Sequence, residues 1–308
     1  MRILLLGANG QLGLTFLDDG GLAARGELIA ASRDGVLTQG GHGEIADLSA
    51  PATLTALLDR VQPDVIINTA AYTAVDRAEN EPGLAHRVNG EAVGILGCWA
   101  KIHNAKIIHY STDYVFDGKQ SKPYAIDSPT APLGAYGQSK LMGEQALRES
   151  GSDYLILRTA WVYAAHGQNF LRTMLRLGSD RDELRIVADQ HGAPTDTTLI
   201  VRASLAALDR WISADSGELN GTYHLVASGG TTWHGFAEAI FEQAMSLGVV
   251  TRRPRVNPIP SVDFPTPAVR PAWSLLDNND FQQRFHFILP DWRNGLRDIM
   301  EKLATPSH

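Results

Sequence analysis

The sequence predicts an α/β protein on a doubly wound parallel sheet, with a smaller α/β unit toward its C-terminus. Three observations predict it. A short apolar run, RILLLG, ends at a glycine-patterned turn. Apolar runs of strand length then alternate with helix-patterned segments through the first half. The second half loses that alternation, whereas a closed barrel of βα units would keep it to the end.

RILLLG (2–7) has the continuous apolar pattern of a strand covered on both faces. GANGQLG (7–13) is a turn, and LTFLDDGG (14–21) is a short helix closing on glycine. ELIAAS (27–32) is a second strand. APATLTALLDRVQ (50–62) has Pro51 near a helix start and Leu54, Leu57, Leu58 and Val61 at helical spacing. PDVIINTAA (63–71) is a third strand that runs into small residues. PGLAHRVNGEAVGILGCWAKIH (82–103) reads as one long helix, and AKIIHYST (105–112) as a fourth strand. The next helix carries Tyr136: Pro132 and Gly134 precede it, and LMGEQALRE continues it with good helix formers. DYLILRTAWVY (153–163) is the strand that follows.

Beyond it, NFLRTMLRLG and TTLIVRASLAALDRWI read as helices, and ELRIVAD and GTYHLVA as strands. TTWHGFAEAIFEQAMSLG opens a helix with a threonine cap. Residues 254–271 hold six of the fifteen prolines, which predicts an extended, irregular stretch. LPDWRNGLRDIMEKL closes the chain as an amphipathic helix. The expected domains are a cofactor-binding unit, 1–165 with 195–225, and a substrate unit, 166–194 with 226–308.

The net charge is −7, with no run of five Lys or Arg. That argues against a nucleic acid or an anionic membrane as partner, and leaves room for a local basic pocket. Cys98 is the only cysteine, so no internal disulfide forms and no cysteine metal site is expected. In its apolar context, GILGCWA, it reads as a buried packing thiol. The first apolar run stops at Gly7, too short for a signal segment, and no run approaches a membrane span. A cytoplasmic protein is expected.

Gly7, Gly10 and Gly13 follow a strand and open a helix. The first permits a tight turn, the second lets backbone N–H groups approach a pyrophosphate, and the third lets helix and sheet pack closely. The helix N-terminus then faces phosphate with its partial positive charge. This predicts dinucleotide binding and a Rossmann-type sheet. After the second strand, where an acidic residue would accept from the adenosine ribose, the chain has Ser32 and Arg33. A hydroxyl with a guanidinium suits a 2′-phosphate, so NADPH is favoured over NADH. Asp47 is placed to contact the adenine amine, and Ala70 and Ala71 to leave room for the cofactor chain.

Tyr136 and Lys140 stand one helical turn apart in AYGQSK, on one face. Alone, that spacing fits a tyrosine packed on a lysine stem. The fourth strand, however, ends in HYSTDYVFDG, at the sheet edge where ligands bind. A hydroxyl residue, a phenol and an ammonium then converge beside a dinucleotide turn. Hydride addition to a ketone leaves an oxygen that needs a proton. A free phenol has a pKa of about 10, and a neighbouring ammonium would lower it. Lys140 can do this and hold the nicotinamide ribose, while Thr112 bonds the substrate oxygen or the phenol. Positioned proton transfer of this kind contributes roughly 10²–10⁴ in rate.

These motifs resemble the extended short-chain dehydrogenases/reductases, and among them the dTDP-4-dehydrorhamnose reductases. The resemblance covers essentially the whole chain. Its markers are GANGQLG, PDVIINTAAYTAVDRAE, IHYSTDYVFDG, APLGAYGQSKLMGE, LRTAWVY, DQHGAPT, GTYHLVASG and FPTPAVRP. It implies reduction of the C4 keto group of dTDP-4-dehydro-L-rhamnose to dTDP-L-rhamnose by NADPH or NADH, for bacterial surface polysaccharide. It implies that Tyr136 donates the proton, Lys140 assists and Thr112 tunes the phenol. Thr112, Asp113 and Trp161 match substrate-contacting positions. Gly10, Gln11, Leu12, Ser32, Asp47, Leu48, Ala70, Ala71, Tyr72, Tyr110 and Lys140 match cofactor-lining ones. From the residues alone Trp161 is equally core filling; the resemblance implies that it stacks on or covers the sugar.

The chain departs from the family in two places. Some members bind Mg²⁺ at a dimer interface through an acidic residue of the first helix, where this chain has Thr15. No metal site is therefore assigned, and monomer and homodimer both stay open. The stretch between the first two strands is also long and glycine-rich. Related dehydratases carry Glu after the Thr-Asp pair; here Tyr114 follows Asp113. A non-catalytic relative, the regulatory subunit of methionine adenosyltransferase, is the other alternative, and Thr112 and Trp161 fit the reductase better. A reductase forming 6-deoxy-L-talose would differ only in the face that receives hydride.

Overall fold

A computed structural model describes residues 1–214 and 217–305. Residues 215–216 and 306–308, which fall within the domain ranges above, lie outside the described residues. The first half runs β1 (Arg2–Leu6), α1 (Gln11–Asp19), β2 (Glu27–Ser32), β3 (Glu44–Ile45), α2 (Leu54–Val61), β4 (Val65–Asn68), α3 (Val75–Ala78), α4 (Pro82–His86), α5 (Ala92–His103), β5 (Lys106–Thr112), α6 (Ala135–Glu149) and β6 (Asp153–Thr159). Then come β7 (Val162–Tyr163), α7 (Phe170–Asp180), β8 (Glu183–Val187), β9 (His191–Gly192), β10 (Thr195–Asp196), α8 (Thr197–Ser213) and β11 (Gly221–His224). The chain ends with β12 (Thr231–Thr232), α9 (Trp233–Ser246), β13 (Arg255–Ile259), α10 (Asn279–Phe285) and α11 (Trp292–Ala304).

Seven strands make one parallel sheet in the order β11-β6-β5-β4-β1-β2-β3. This is the doubly wound sheet that the alternation predicts. The order reverses between β1 and β4, so a crevice opens beyond their carboxyl ends. The strands read as unbroken apolar runs because both faces are covered. Ile3, Leu5, Val65, Ile67, Ile108, Leu155 and Leu157 enter one core, shared with α8, α9 and α11. Leu4, Leu6, Ile66, Ile107 and Ile156 enter the other, against α2 and α5.

Several features differ from the sequence reading. The long helix over 82–103 contains a π-helical segment at Arg87–Glu91. There Asn89 is buried and trades hydrogen bonds with the backbone of Tyr72, and its amide also donates to Ser139 Oγ. π-helical turns inside α-helices are rare and often mark functional regions. Cys98 is exposed, not buried. Leu96, Trp99 and Ala100 take the core face of α5, and apolar residues all around that helix hide which face is outward. The proline-rich stretch contains a true strand, β13, parallel to β8. Arg255 N–H points to the β8 side, so Pro258, with no N–H, faces the free edge. Finally, DYLILRTAWVY breaks into β6 and β7, with Trp161 between them at φ 49°.

Candidate active site

A cleft of about 750 Å³ lies over the carboxyl ends of β1, β4 and β5. It runs from Ser32, Arg33 and Asp47 at one end to Trp161 at the other. Its floor is the glycine turn. Gly7 has φ +79°, and a Cβ there would stand 2.6 Å from the backbone nitrogen of Ala70. Only glycine lets the turn lie this close to the end of β4. A Cβ at Gly13 would stand 2.2 Å from the Gly7 carbonyl oxygen. Gly13 therefore packs behind the turn and does not face the cleft. Gly10 caps α1 and meets only the Gly7 oxygen, at 3.3 Å, so space is left over the helix N-terminus. The first turn of α1 holds no acidic residue, so its positive end is free to meet an anion. Gln11 and Leu12 line the wall beside it.

At the other end of the turn, Ser32 and Arg33 part company. Ser32 is buried and its hydroxyl donates to the Val36 carbonyl at 3.0 Å. Arg33 is exposed at the cleft mouth. Asp47 accepts from Ser49 N–H and Oγ (2.9 and 2.7 Å), and the Ser49 hydroxyl leads in holding its carboxyl below the usual range. Leu48, Ala70 and Ala71 line the same wall. Tyr72 does not join them: its hydroxyl donates to Glu81 at 2.6 Å. Tyr110 reaches the cleft with its backbone, while its phenol donates to Ser204 of α8 at 2.7 Å.

The reactive groups meet where β5 and α6 converge. Glu79 accepts the first free N–H of α6, from Ala135, at 2.8 Å. That sets the start of the helix and so the positions of Tyr136 and Lys140. The Tyr136 ring meets Tyr114 edge-on, centroids 5.5 Å apart. Thr112 ends β5; its hydroxyl donates to Asp113 at 3.1 Å and accepts from Tyr114 N–H at 3.2 Å. Lys140 is 2% exposed, and its Nζ donates to the Tyr110 carbonyl at 2.6 Å.

The electrostatics differ from the expected lowering of the phenol by the ammonium. Burial pushes Tyr136 up to about 12, with the Thr112 hydroxyl pulling it back. The Lys140 hydrogen bond goes to the Tyr110 carbonyl, and desolvation is the largest influence on the phenol. Lys140 itself is drawn down to about 8 by burial. Asp113 is 2% exposed, and its Oδ2 has no hydrogen-bond partner among the described residues. Burial lifts its carboxyl to about 6, with the Ser274 and Thr112 hydroxyls pulling it back.

Trp161 closes the far end. Its backbone is in the left-handed region, which a bulky residue adopts only when its surroundings force it. Its ring stacks on Trp233 with centroids 3.5 Å apart and planes 4° from parallel. A Cβ on Gly192 would stand 2.3 Å from the indole, so the ring is clamped. Sequence reasoning missed Trp233, Asn68 and His109. The last two carry a readable signal, since Asn68 closes one apolar strand and His109 interrupts another. Thr15 is buried in α1, its hydroxyl 2.8 Å from that of Thr197. Among the described residues, no group of three or more His, Cys, Asp or Glu side chains is placed to hold a metal ion. No described helix is long and apolar enough to cross a membrane.

Comparison with known proteins finds relatives along the whole chain. Residues 1–305 match the family described as the RmlD substrate binding domain. A dTDP-4-dehydrorhamnose reductase of Burkholderia thailandensis is 46% identical over 98% of this chain and 100% of its own. The crystal structure of such a reductase from Clostridium acetobutylicum superposes with a TM-score of 0.87 at 32% identity, covering 99% of this chain and 100% of that one. The Bacillus anthracis reductase, solved in complex with NADP, superposes with a TM-score of 0.85 at 31% identity, covering 98% and 99%. With identity sustained from end to end and the glycine turn, phenol and lysine gathered in one cleft, this chain belongs to the dTDP-4-dehydrorhamnose reductase family.

Proposed function

We propose that this chain reduces the C4 keto group of dTDP-4-dehydro-L-rhamnose to give dTDP-L-rhamnose, using NADPH, in bacterial rhamnose supply. The observation that carries the reading is the meeting of Tyr136, Lys140 and Thr112 in the cleft that also contains the glycine turn. The cleft fits a dinucleotide: Gly10 leaves a cradle over the α1 N-terminus that a side chain would fill. NADPH supplies the hydride when bound. Gly7, Gly10 and Gln11 would hold its pyrophosphate, Leu12, Ala70 and Ala71 its middle, and Asp47 and Leu48 its adenosine. Arg33 is the group for the 2′-phosphate. Ser32 shapes the turn that presents it, through its bond to Val36.

Lys140 would hold the nicotinamide ribose hydroxyls from below. Tyr136 keeps its proton on Oη at neutral pH, since burial raises the phenol. It gives that proton to the C4 oxygen as charge develops there, and the Thr112 hydroxyl, turning from Asp113, would offer the same oxygen a hydrogen bond. Asp113 has a buried acceptor without a partner, suited to a sugar hydroxyl. Trp161, backed by Trp233, gives the sugar a flat apolar wall. The proposed division into a cofactor unit (1–165 with 195–225) and a sugar unit (166–194 with 226–308) is supported by β11, which adds to the edge of the large sheet. Incubation with dTDP-4-dehydro-L-rhamnose and NADPH, with the product read by NMR, tests the proposal. The rhamno product is expected. A talo product would overturn the assigned hydride face, and no turnover at all would overturn the function.

A further inference from the structure

Asn68 ends β4, and His109 sits beside it on β5 in register. Both are buried, at 1% and 0% exposure. Buried polar groups need partners, and here the partners fix hydrogen positions. Asn68 Oδ1 accepts from the Ala70 N–H at 3.2 Å. Its amide nitrogen therefore faces His109 Nδ1, 3.1 Å away. An amide nitrogen only donates, so Nδ1 accepts. Burial, and then the neighbouring Lys140, hold His109 well below its ordinary pKa, so the imidazole is neutral. Its one proton must be on Nε2. That N–H points at Lys140 Nζ, 3.3 Å away.

An amine has a lone pair to accept this N–H; an ammonium has none. Whenever Lys140 is charged, two donors face each other across this contact. The other tautomer would welcome the ammonium. It requires Asn68 to turn its oxygen toward His109, which leaves the Ala70 N–H facing an NH₂ group. Few other groups bear on Nζ. The Tyr110 carbonyl of β5 favours the charge. On α6 itself Glu144 favours it too, but that carboxylate is already paired with Arg148 of α6 and Arg158 of β6. Tyr136, one turn earlier on α6, has Asp113 bearing on it from the end of β5. Asn68, from β4, is neutral.

We propose that His109, oriented by Asn68, is a positioning residue for Lys140: its Nε2–H holds the amine in place beneath the cleft and opposes its charge. The contact acts in the same direction as the burial that already lowers the lysine. This rests on the role given to Lys140 above.

The test has a part that needs no variant. In protein labelled with ¹⁵N-histidine, the His109 ring is assigned by the signal lost in His109→Gln. Nδ1 is expected unprotonated and Nε2 protonated from pH 8 down to pH 5. An Nδ1–H tautomer, or a charged ring at pH 6, would overturn the proposal. The second part measures NADPH affinity against pH by nucleotide fluorescence. In Asn68→Asp the carboxylate takes an Nδ1–H, so Nε2 becomes an acceptor for the ammonium. The pH at which binding weakens should then rise by about one unit. His109→Gln, whose amide oxygen can accept from Nζ, should shift it the same way. A limb that stays put in both variants, with or without a lower Tm, refutes the positioning role. If Lys140→Met binds NADPH and turns over normally, the reading of the site fails instead, and the tautomer result still stands.

Discussion

Replacing Tyr136 by Phe removes one oxygen from the cleft and little volume. The ring keeps its edge-on contact with Tyr114 at 5.5 Å, so folding should be undisturbed and Tm should stay near wild type. The glycine turn is untouched, so NADPH should still bind. What is lost is the group that carries a proton to the C4 oxygen. Loss of positioned proton transfer costs roughly 10²–10⁴ in rate, or about 3–5 kcal/mol of transition-state stabilisation. The proton is required in the transition state and not in the ground state, so the loss should fall on kcat with KM little changed. Steady-state assay of ketosugar reduction, followed by NADPH absorbance, measures both. If Tyr136→Phe keeps more than about a tenth of wild-type kcat, far above that range, Tyr136 is not the acid.

Three other outcomes follow from the same cleft. Arg33→Ala should raise KM for NADPH more than for NADH; equal effects on the two would remove the 2′-phosphate from its role. Asp113 has a folded pKa of about 6, above its ordinary 3.8, so its charged form weakens the fold above pH 6 and the cost disappears as pH falls toward 4. Asp113→Asn should therefore raise stability at pH 8 by on the order of 2–3 kcal/mol, lose that gain by pH 4, and raise KM for the ketosugar; a Tm gain independent of pH would contradict the burial argument. Turnover should survive EDTA, because Thr15 packs on Thr197 where a metal-binding acid is expected in some relatives; loss in chelator restored by Mg²⁺ would show that other residues bind the metal.

Much of this was legible in the chain because the sheet is covered on both faces. Unbroken runs such as ILLL and VIIN mark its strands, and glycines at 7, 10 and 13 mark the crevice. Tyr136 and Lys140 were found because one helical turn joins them locally. What stayed hidden depends on contacts between distant segments. The π-helical segment coincides with bonds from Asn89 to Tyr72 and Ser139, both distant in the chain. Asn68 and His109 become partners only through strand register. Trp161 gains its backing from Trp233, 72 positions on, which no spacing rule connects. Tyr72 and Tyr110 both match cofactor-lining positions by resemblance, and only the structure shows that Glu81 and Ser204 engage their hydroxyls.

The sign of the Tyr136 shift also depends on packing, and it changes how the pair divides its work. In water a phenol and a lysine amine titrate close together, at about 10 and 10.4. Burial beneath the cleft separates them: Tyr136 rises to about 12 and Lys140 falls to about 8. Both shifts disfavour charge, as desolvation must. Two groups pushed apart in this way take different roles. Tyr136 holds its proton across the working range and so serves as the acid. Lys140 is the group that titrates there, and any alkaline loss of NADPH affinity should belong to it. The lysine's contribution is present below its pKa and fades as pH rises through about 8. Tyr136→Phe should therefore keep the alkaline limb in NADPH binding, and Lys140→Met should abolish it. A limb that vanishes in Tyr136→Phe but persists in Lys140→Met would assign the titration to the phenol and reverse this division.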